Sequence, residues 1–461
     1  MALTPPRPLA ALARRGARAR WTPAQLSGLT ARWQASAGFT NAGKTIPCSA
    51  NGDPAYVIAD STGNGYDLVQ STAGNRYLWH STQGTLCPTR IASQTFPNST
   101  LEYPMAAPFD ARSSSAFFLV ALQTRNWGFR NFLSTSNLQF LTSSNNGFNY
   151  PSSAYFKLAA SNYPTYPHGG TQVPTGLALI GFVANGTALT LVVNGHAETV
   201  TWTPPGAAGT GRYLLGEPDL QGNWNGSFRE AWLVNRAATP TEIGLIQTYA
   251  QSQGCVFDAP SVVVYDGDSI SDAQPDDLRR GWQYFMGLGP LALEYSNAIG
   301  GLPLSTMLAN APTFTDSIHT AGKNNVAVVF GGTNDVALNG RTAAQVYADT
   351  QSYGAGRKTA GFKVVVVGML PRGGVETQRQ TLRSSMLADF PTATSSPLVY
   401  RAGPGVTYAD YYVDLGGDSV MGANGNTGNT TYYADGVHPT LVGYQYLSPI
   451  IRPALTLAGV V

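Results

Sequence analysis

Charged residues are scarce in this sequence of 461 residues. Asp, Glu, Lys and Arg together make up 12% of the chain, which is about half their share in ordinary soluble domains. The 28 basic and 26 acidic residues nearly cancel and give a formal net charge of +2. Because nucleic-acid binding needs a basic face that neutralises phosphates, we expect no nucleic-acid partner.

Cysteines and long apolar runs are also lacking. The three cysteines, Cys48, Cys87 and Cys255, are too few and too widely separated for a disulfide framework or a zinc site. At most, Cys48 and Cys87 form one bridge if the compartment oxidises thiols. No stretch reaches about 18 consecutive apolar residues, which excludes a membrane-spanning helix.

The first 20 residues are rich in arginine but do not fit a secretory signal. Their short apolar patch, residues 8–13, is followed by Arg14 and Arg15, whereas a signal peptide carries its charge before its apolar core. We therefore interpret residues 1–20 as a basic disordered leader. The low overall charge favours an extracellular, cell-surface or virion-associated location, although no clear signal peptide supports it.

Glycine and proline are plentiful, with 51 and 30 residues. This composition suits short strands that are joined by tight turns, and residues 21–257 show that pattern throughout. The clearest signal is a three-stranded meander over residues 177–202, where Asn-Gly pairs at 185–186 and 194–195 predict type I′ turns. We expect this half to form a two-sheet β-sandwich that ends in a short helix capped by Thr239.

Motifs in the same half resemble the LamG-like, concanavalin-type modules. They are Trp-Thr-Pro at 21–23, Asp-Ser-Thr-Gly-Asn-Gly at 60–65 and Asn-Gly-Ser-Phe-Arg-Glu-Ala-Trp-Leu-Val at 225–234. The resemblance implies a jelly-roll sandwich that often binds carbohydrate, and seven of the eight tryptophans lie before residue 258. Trp232 lies in an apolar strand and is expected in the core. Trp224 lies in a polar loop and is the candidate carbohydrate-binding side chain, although it could equally belong to the core.

From residue 258 onward, strand and helix patterns alternate. Near-continuous Val-rich strands that alternate with helices indicate a parallel sheet covered on both faces. We predict an α/β domain over residues 258–461, a three-layer flavodoxin-like sandwich with a five-stranded parallel sheet. Strands are predicted at 261–265, 291–296, 326–330, 363–368 and 398–401, and helices at 276–288, 302–310, 343–359, 376–390 and 441–455.

Three polar clusters follow predicted strands or precede the last helix. They are Gly-Asp-Ser-Ile at 267–270, Gly-Gly-Thr-Asn-Asp at 331–335 and Asp-Gly-Val-His-Pro at 435–439. Sites of parallel α/β sheets lie at the carboxyl ends of the strands, so we expect these clusters to meet. Together they offer a hydroxyl, an amide, an imidazole and a carboxylate.

These side chains are the groups that acyl transfer requires. A serine becomes nucleophilic when a base takes its proton, and that base needs an acceptor on its other nitrogen. Ser269 is the candidate nucleophile, His438 the base and Asp435 its acceptor, three residues earlier. Asn334 can donate to the oxyanion, and a glycine of the pair at 300–301 can bring a backbone N–H close.

The ordered clusters resemble the SGNH (GDSL) hydrolases over residues 261–457. The resemblance implies a serine hydrolase in which Ser269, His438 and Asp435 are catalytic. It further implies that the oxyanion hole consists of the Ser269 N–H, the Gly301 N–H and the Asn334 amide. No metal or cofactor is then required.

One block departs from the family pattern. Ser296 stands where the family usually has Asn, so Gly300 remains an alternative to Gly301 as the second donor. A second Gly-Asp-Ser occurs at residues 417–419, but it follows no long buried strand and comes after the Asn cluster. Because placement carries the inference, we interpret it as a coincidence in a loop.

The sequence therefore predicts a serine esterase. O-acetyl groups on carbohydrate are the favoured substrate, since a glycan-binding neighbour would tether the ester. The alternatives are a general short-chain esterase or lipase with a structural sandwich, and an adhesion or virion-tail glycan-binding protein with secondary esterase activity. The natural ester and the oligomeric state are left open.

Overall fold

The computed structural model describes most of the chain. The described residues are 21–73, 76–80, 85–87, 103–104, 110, 112–122, 128–135, 138–144, 153–158, 168–204, 212–214, 227–273 and 280–461. The predicted leader at 1–20 and the candidate Trp224 lie outside them.

The N-terminal half consists of antiparallel strands followed by one helix. The helix α1 spans Pro240–Ser252. The strands are β1 Leu29–Phe39, β2 Val57–Asp60, β3 Leu68–Val69, β4 Leu78–His80, β5 Thr85–Cys87, β6 Tyr103–Pro104, β7 Ser115–Leu122, β8 Gly128–Thr135, β9 Leu138–Ser144, β10 Ser153–Leu158, β11 His168–Gln172, β12 Gly176–Asn185, β13 Ala188–Val193, β14 His196–Thr201, β15 Arg212–Leu214 and β16 Ser227–Val234.

These strands form two sheets. The main path of the larger sheet runs β14-β13-β12-β7-β16-β1-β2-β3, with β5 beside β16 and β4 beside β5. The smaller sheet has the order β11-β10-β9-β8-β15-β6. Strands β10 and β11 of the smaller sheet approach β13 and β14 of the larger one. The closer resemblance to a LamG-like jelly roll stays a prediction.

The meander of β12, β13 and β14 has the predicted strands but not the predicted turns. Asn185 pairs with Ala188, so the first loop is formed by the two residues between them, of which Gly186 has φ +59°. In the second loop Asn194 has φ +49°. Only one residue of each loop has a positive φ, whereas a type I′ turn needs two. At Asn194 the side chain holds the turn: its Oδ1 accepts from the Leu179 N–H at 2.8 Å and its Nδ2 donates to the Val256 carbonyl at 3.1 Å.

The larger sheet is buried on both faces. One face holds Trp33, Ile180 and Phe228 in a core, while α1 covers the other and buries Trp232 completely, as its sequence context predicts. The predicted cap of α1 is present, because the Thr239 side chain accepts from the backbone N–H three residues later. Buried apolar area of this kind is the main stabilising contribution to a sheet that is covered on both sides.

Cys48 is a free thiol in this half. The bridge to Cys87 that the sequence allowed is therefore not formed. Burial, with a smaller contribution from Asp53, raises the pKa of the Cys48 thiol to about 11, so the thiol stays protonated and unreactive at neutral pH.

The C-terminal half alternates strands and helices. Its strands are β17 Ser261–Gly267, β18 Ala292–Ser296, β19 Asn324–Phe330, β20 Lys363–Val367, β21 Thr392–Ala393, β22 Val399–Arg401 and β23 Tyr411–Val413. Its helices are α2 Leu304–Phe314, α3 Thr333–Ala337, α4 Ala343–Thr359, α5 Glu376–Asp389 and α6 Leu441–Leu457.

One seven-stranded sheet runs through this half in the order β18-β17-β19-β20-β23-β22-β21. The first five strands of that order are parallel, and β22 and β21 continue it in antiparallel fashion. The sequence predicted five parallel strands but took 398–401 as the fifth. That segment is β22 and is antiparallel, and the fifth parallel strand is β23.

Helices cover both faces of the parallel sheet. Alternate residues of β19 point to opposite sides: Val328 packs in a core with α6, while Val329 packs in a core with α2, α4 and α5. All seven residues of β17 are buried, which explains why the Val-rich runs were recognisable in the sequence.

The helix predicted at 276–288 is wrong over residues 280–288, the part of it that the structure describes. Within residues 280–288 the chain forms a single 3₁₀ turn, Tyr284–Met286, instead of the α-helix predicted for 276–288. Gly287 adopts a left-handed φ of +61° immediately after that turn, and this conformation terminates a helix. The short helix α3 was not predicted.

The two halves are joined by hydrogen bonds at the edge of the parallel sheet. Edge strand β18 offers the carbonyl of Glu294, which accepts from the Thr175 N–H at 2.7 Å and from its hydroxyl at 3.1 Å. Gln172 also donates to the hydroxyl of Ser317 at 2.6 Å. The N-terminal half thus supplies a donor to a strand that would otherwise carry unpaired backbone groups.

Candidate active site

Ser269 lies in the turn that leaves the carboxyl end of β17. The Asp268 carbonyl accepts from the backbone N–H groups of Ser271 and Asp272, at 3.1 and 2.9 Å, so the chain curls tightly around the serine. The Asp268 carboxylate accepts from the Ile270 N–H at 3.0 Å. Ser269 itself is only 6% exposed.

The segment before α6 brings an imidazole to this serine. Nε2 of His438 lies 2.8 Å from Oγ of Ser269, and Nδ1 of His438 lies 2.7 Å from Oδ2 of Asp435. The segment is held in place because the Thr440 side chain caps α6 and the His438 carbonyl accepts from the Ala434 N–H at 2.8 Å. The three side chains predicted from the sequence are therefore in hydrogen-bond contact.

The Asp435 carboxylate is itself anchored by backbone donors. Its Oδ1 accepts from the N–H of Val437 at 3.0 Å and from that of His438 at 2.8 Å. Partial burial acts to raise the pKa of Asp435, but the hydrogen bonds from the His438 backbone and imidazole outweigh it and hold this pKa below its ordinary value. The carboxylate is therefore ionised at neutral pH and is able to stabilise a protonated imidazole.

Asn334 follows β19, the strand next to β17 in the sheet. It lies in the one-turn helix α3, which begins where β19 ends, and it is 5% exposed. Its Nδ2 donates to the Leu302 carbonyl at 3.3 Å. An amide nitrogen has two hydrogens, so one of them stays available to a ligand.

The loop after β18 carries the glycine pair. Its course follows the end of β17, because the Asn297 N–H donates to the Tyr265 carbonyl at 2.8 Å and the Ile299 N–H donates to the Gly267 carbonyl at 3.0 Å. Gly301 adopts a left-handed φ of +77°, a conformation that favours glycine.

Ser296 takes the place of the Asn that the family pattern has in this loop. Its Oγ accepts from the Ala298 N–H at 3.4 Å. In this loop a short side chain thus accepts from a backbone N–H two residues later.

Two buried carboxyl groups flank the serine and asparagine. Asp335 accepts from the N–H groups of Leu304 and Ser305, at 2.6 and 3.3 Å, and so fixes the start of α2. Burial raises the pKa of Asp268 to about 7, the Asp335 charge adds to this shift and the Arg372 charge opposes it. Both acids hold loops in place by accepting backbone hydrogen bonds.

Sequence reasoning missed a buried polar cluster behind the site. Asp266, the next-to-last residue of β17, accepts from the Thr315 hydroxyl at 2.6 Å and from the Tyr353 hydroxyl. Asn297 donates to the same Thr315 hydroxyl at 3.3 Å. Burial raises the pKa of Asp266. The only sequence signal was a carboxylate inside a strand that is otherwise apolar.

The second Gly-Asp-Ser lies elsewhere and has other contacts. Ser419 is exposed, and its carbonyl accepts from the Asn426 side chain at 2.9 Å. The carboxylate of Asp418 caps the N–H groups of Val420 and Met421, at 2.9 and 2.6 Å. Neither residue forms a side-chain hydrogen bond with a histidine in the described part of the chain, which agrees with the interpretation of this segment as a loop.

The described residues contain no group of three or more His, Cys, Asp and Glu side chains that could hold a metal ion. Among those same residues, no helix combines the length and the apolar character that crossing a membrane requires.

Comparison with known proteins gives similarity to solved structures only. No protein-family model matches the chain, and no curated protein matches it. A lipolytic protein of the G-D-S-L family from Veillonella parvula is 14% identical, with 42% of this chain and 98% of that chain covered, at a TM-score of 0.34.

Two further structures show the same degree of likeness. An acylhydrolase described as putative, from Bacteroides fragilis, is 21% identical over 46% of this chain and 96% of its own, with a TM-score of 0.33. A carbohydrate esterase of family 3 from Talaromyces cellulolyticus is 16% identical over 44% of this chain and 99% of its own, also with a TM-score of 0.33. At these values the likenesses carry no functional argument.

Proposed function

We propose that the chain is a serine esterase that hydrolyses carboxylic esters at Ser269. The observation that supports this most directly is the continuous hydrogen-bond chain from Ser269 Oγ through His438 to Asp435, with contacts of 2.8 and 2.7 Å. A hydroxyl next to a base, whose other nitrogen is held by a carboxylate, is the arrangement that activates serine for acyl transfer.

In the first step Ser269 Oγ attacks the ester carbonyl carbon while His438 Nε2 takes the hydroxyl proton. The C–O bond to the alcohol then breaks, and His438 returns the proton to the leaving alkoxide. Water, deprotonated by the same imidazole, attacks the acyl-enzyme, and the acid is released as the Ser269 hydroxyl re-forms. Asp435 keeps Nδ1 protonated and stabilises the imidazolium in each step.

The negative oxygen that forms on the substrate needs donors that are already in place. The backbone N–H of Ser269 and the second amide hydrogen of Asn334 lie on neighbouring loops, and the loop of Gly301 touches Asn334 through Leu302. Each such donor contributes about 3 kcal/mol of transition-state stabilisation. We propose these three groups as the oxyanion hole.

We further propose that the natural ester is an O-acetyl group on carbohydrate. The support is the extended β half, which joins the esterase half through the Thr175–Glu294 contact and would raise the local ester concentration if it bound the glycan. Acetate release from acetylated polysaccharides, compared with release from short- and long-chain acyl esters, tests this substrate. Glycan binding that Trp224→Ala weakens would support a carbohydrate role for the β half, whereas turnover without glycan binding would leave an esterase with a structural sandwich.

The two Gly-Asp-Ser sequences provide a matched test of the catalytic assignment. Ser269→Ala should abolish hydrolysis of 4-nitrophenyl acetate, whereas Ser419→Ala should retain wild-type turnover. A fluorophosphonate probe should label Ser269 in the wild-type protein and in Ser419→Ala, which mass spectrometry of the modified peptide can locate. If Ser419→Ala were the inactive variant, or if the label fell elsewhere, the assignment would be wrong.

A further inference from the structure

A third loop leaves the parallel sheet beside the serine and asparagine loops. Gly267, Phe330 and Val367 form one row across β17, β19 and β20. The chain leaves the sheet at this row in all three strands, because they are parallel and their carboxyl ends share an edge. The segment after β20 therefore emerges next to the loops of Ser269 and Asn334, and Arg372 lies five residues beyond the row.

Arg372 differs from other buried or partly buried arginines of the C-terminal half. Four of them each form an ion pair with a carboxylate: Arg341 with Asp349, Arg357 with Asp316, Arg379 with Glu376, and Arg383 with Asp414. The guanidinium of Arg372 forms no ion pair or side-chain hydrogen bond with any residue in the described part of the chain, although it is also partly buried. A guanidinium that has lost part of its hydration without gaining a partner favours an incoming anion.

The Asp268 carboxyl does not satisfy this charge. The positive charge of Arg372 opposes the rise in the pKa of Asp268, so the guanidinium lies within electrostatic range of that carboxyl. Even so, burial keeps that pKa at about 7, so at neutral pH the Asp268 carboxyl is protonated about half of the time. The Asp268 carboxyl already accepts a hydrogen bond from the Ile270 N–H.

We propose that Arg372 binds an anionic group of the substrate, a carboxylate or a phosphate, close to the ester that Ser269 attacks. This inference rests on the proposed esterase function and adds a preference for esters that carry a negative charge over neutral ones. The planar guanidinium offers two parallel N–H donors to such a group. The contact would add binding energy for an ester that carries such a group, and neutral esters would lack it.

Matched aryl acetates test the proposal on the full-length protein. The anionic substrates are 3- and 4-acetoxybenzoate, and the neutral ones are the corresponding acetoxybenzamides. Arg372→Gln should raise KM for the anionic substrates about tenfold, as expected for loss of one charge-assisted contact, and leave kcat and the neutral substrates unchanged. Arg372→Lys keeps the positive charge but lacks the two parallel N–H donors of the guanidinium. Its KM for the anionic substrates should lie between those of wild type and Arg372→Gln.

Arg401→Gln is the control, because it removes the same charge at the opposite edge of the sheet. Arg401 pairs with Tyr411 at the start of β23 and stacks on its ring. This variant should behave as wild type toward both substrate series. Competitive inhibition by benzoate and by phenyl phosphate, measured on wild type and Arg372→Gln, identifies which anion the site prefers.

The possible failures are distinguishable. If Arg372→Gln affects anionic and neutral substrates equally, or neither, Arg372 does not bind substrate charge. Should Arg372→Gln not fold, the anionic-to-neutral ratio of Arg372→Lys decides in the same way. If wild type hydrolyses neither series, and does not hydrolyse 4-nitrophenyl acetate, the esterase function itself is overturned.

Discussion

Nε2 of His438 lies 2.8 Å from Oγ of Ser269, although the two residues are separated by 169 positions in the chain. The imidazole reaches the serine because the segment before α6 returns to the carboxyl edge of the sheet, where β17 ends. Asp435, three residues before His438, orients the ring from the other side. The contact thus joins the first strand of the α/β half to its last helix.

Removal of the Asp435 charge should slow hydrolysis without altering the fold. In Asp435→Asn the side-chain oxygen can still accept the backbone N–H groups of Val437 and His438, but the amide cannot stabilise an imidazolium. We expect kcat to fall about 100- to 10,000-fold. The measurement is steady-state turnover of 4-nitrophenyl acetate, with circular dichroism to verify folding. A variant with activity within about twofold of wild type would show that Asp435 is not the acid partner of His438.

Asn334 should contribute to kcat more than to substrate binding. Its amide donates to an oxygen that becomes negative only in the transition state, so Asn334→Ala should lower kcat about 100- to 1,000-fold with little change in KM. The control is Asn339→Ala, an exposed asparagine five residues later, which should behave as wild type. An increase in KM at constant kcat would contradict an oxyanion role and indicate ground-state binding instead.

The glycine pair can be resolved by two alanine substitutions. Gly301 has φ +77°, so Gly301→Ala strains the backbone by about 1–2 kcal/mol and turns its N–H away from the site. Gly300 is not among the residues with positive φ, and Gly300→Ala should be tolerated better. We expect Gly301→Ala to lose most of its esterase activity and Gly300→Ala to retain it. The reverse order of activities would assign the second donor to Gly300.

The central strands of the α/β half could be predicted because the signal for them, a run of apolar residues, lies within each strand itself. In β17 and β20, runs of valine are buried on both faces, and such runs occur without reference to distant residues. The outer strands were harder to predict, because β23 has only three residues and two of them are tyrosines. The direction of β22 follows from its link to β23, residues 402–410, which is too short for the crossover that two parallel strands need.

The site was predictable from the order of its motifs, but its support was not. Ser269 and Asn334 follow neighbouring parallel strands, so topology alone brings them to one edge. The cluster of Asp266, Thr315 and Tyr353 brings together residues that are far apart in the chain. No spacing in the sequence predicts that they meet. The catalytic roles of the site residues stay predictions, to be decided by the substitutions described above.

The buried carboxyl of Asp268 should make the protein less stable as the pH rises through neutrality. Burial raises the pKa of Asp268 to about 7, whereas in the unfolded chain an Asp loses its proton near pH 4. Between these values the folded state keeps a proton that the unfolded state has released, so the free energy of unfolding falls as the pH rises from about 4 to about 7. Above the folded pKa, the full destabilisation amounts to at most about 4 kcal/mol.

Asp268→Asn should remove this contribution, since an amide stays neutral and its oxygen can still accept from the Ile270 N–H. We expect the thermal unfolding midpoint of Asp268→Asn to exceed that of wild type at about pH 8 and to approach it at about pH 4. Asp418→Asn, the same change in the second Gly-Asp-Ser, keeps the Asp268 carboxyl and should retain the wild-type pH dependence. If Asp268→Asn and wild type differ by the same amount at both pH values, then the Asp268 carboxyl does not titrate differently in the folded and unfolded states.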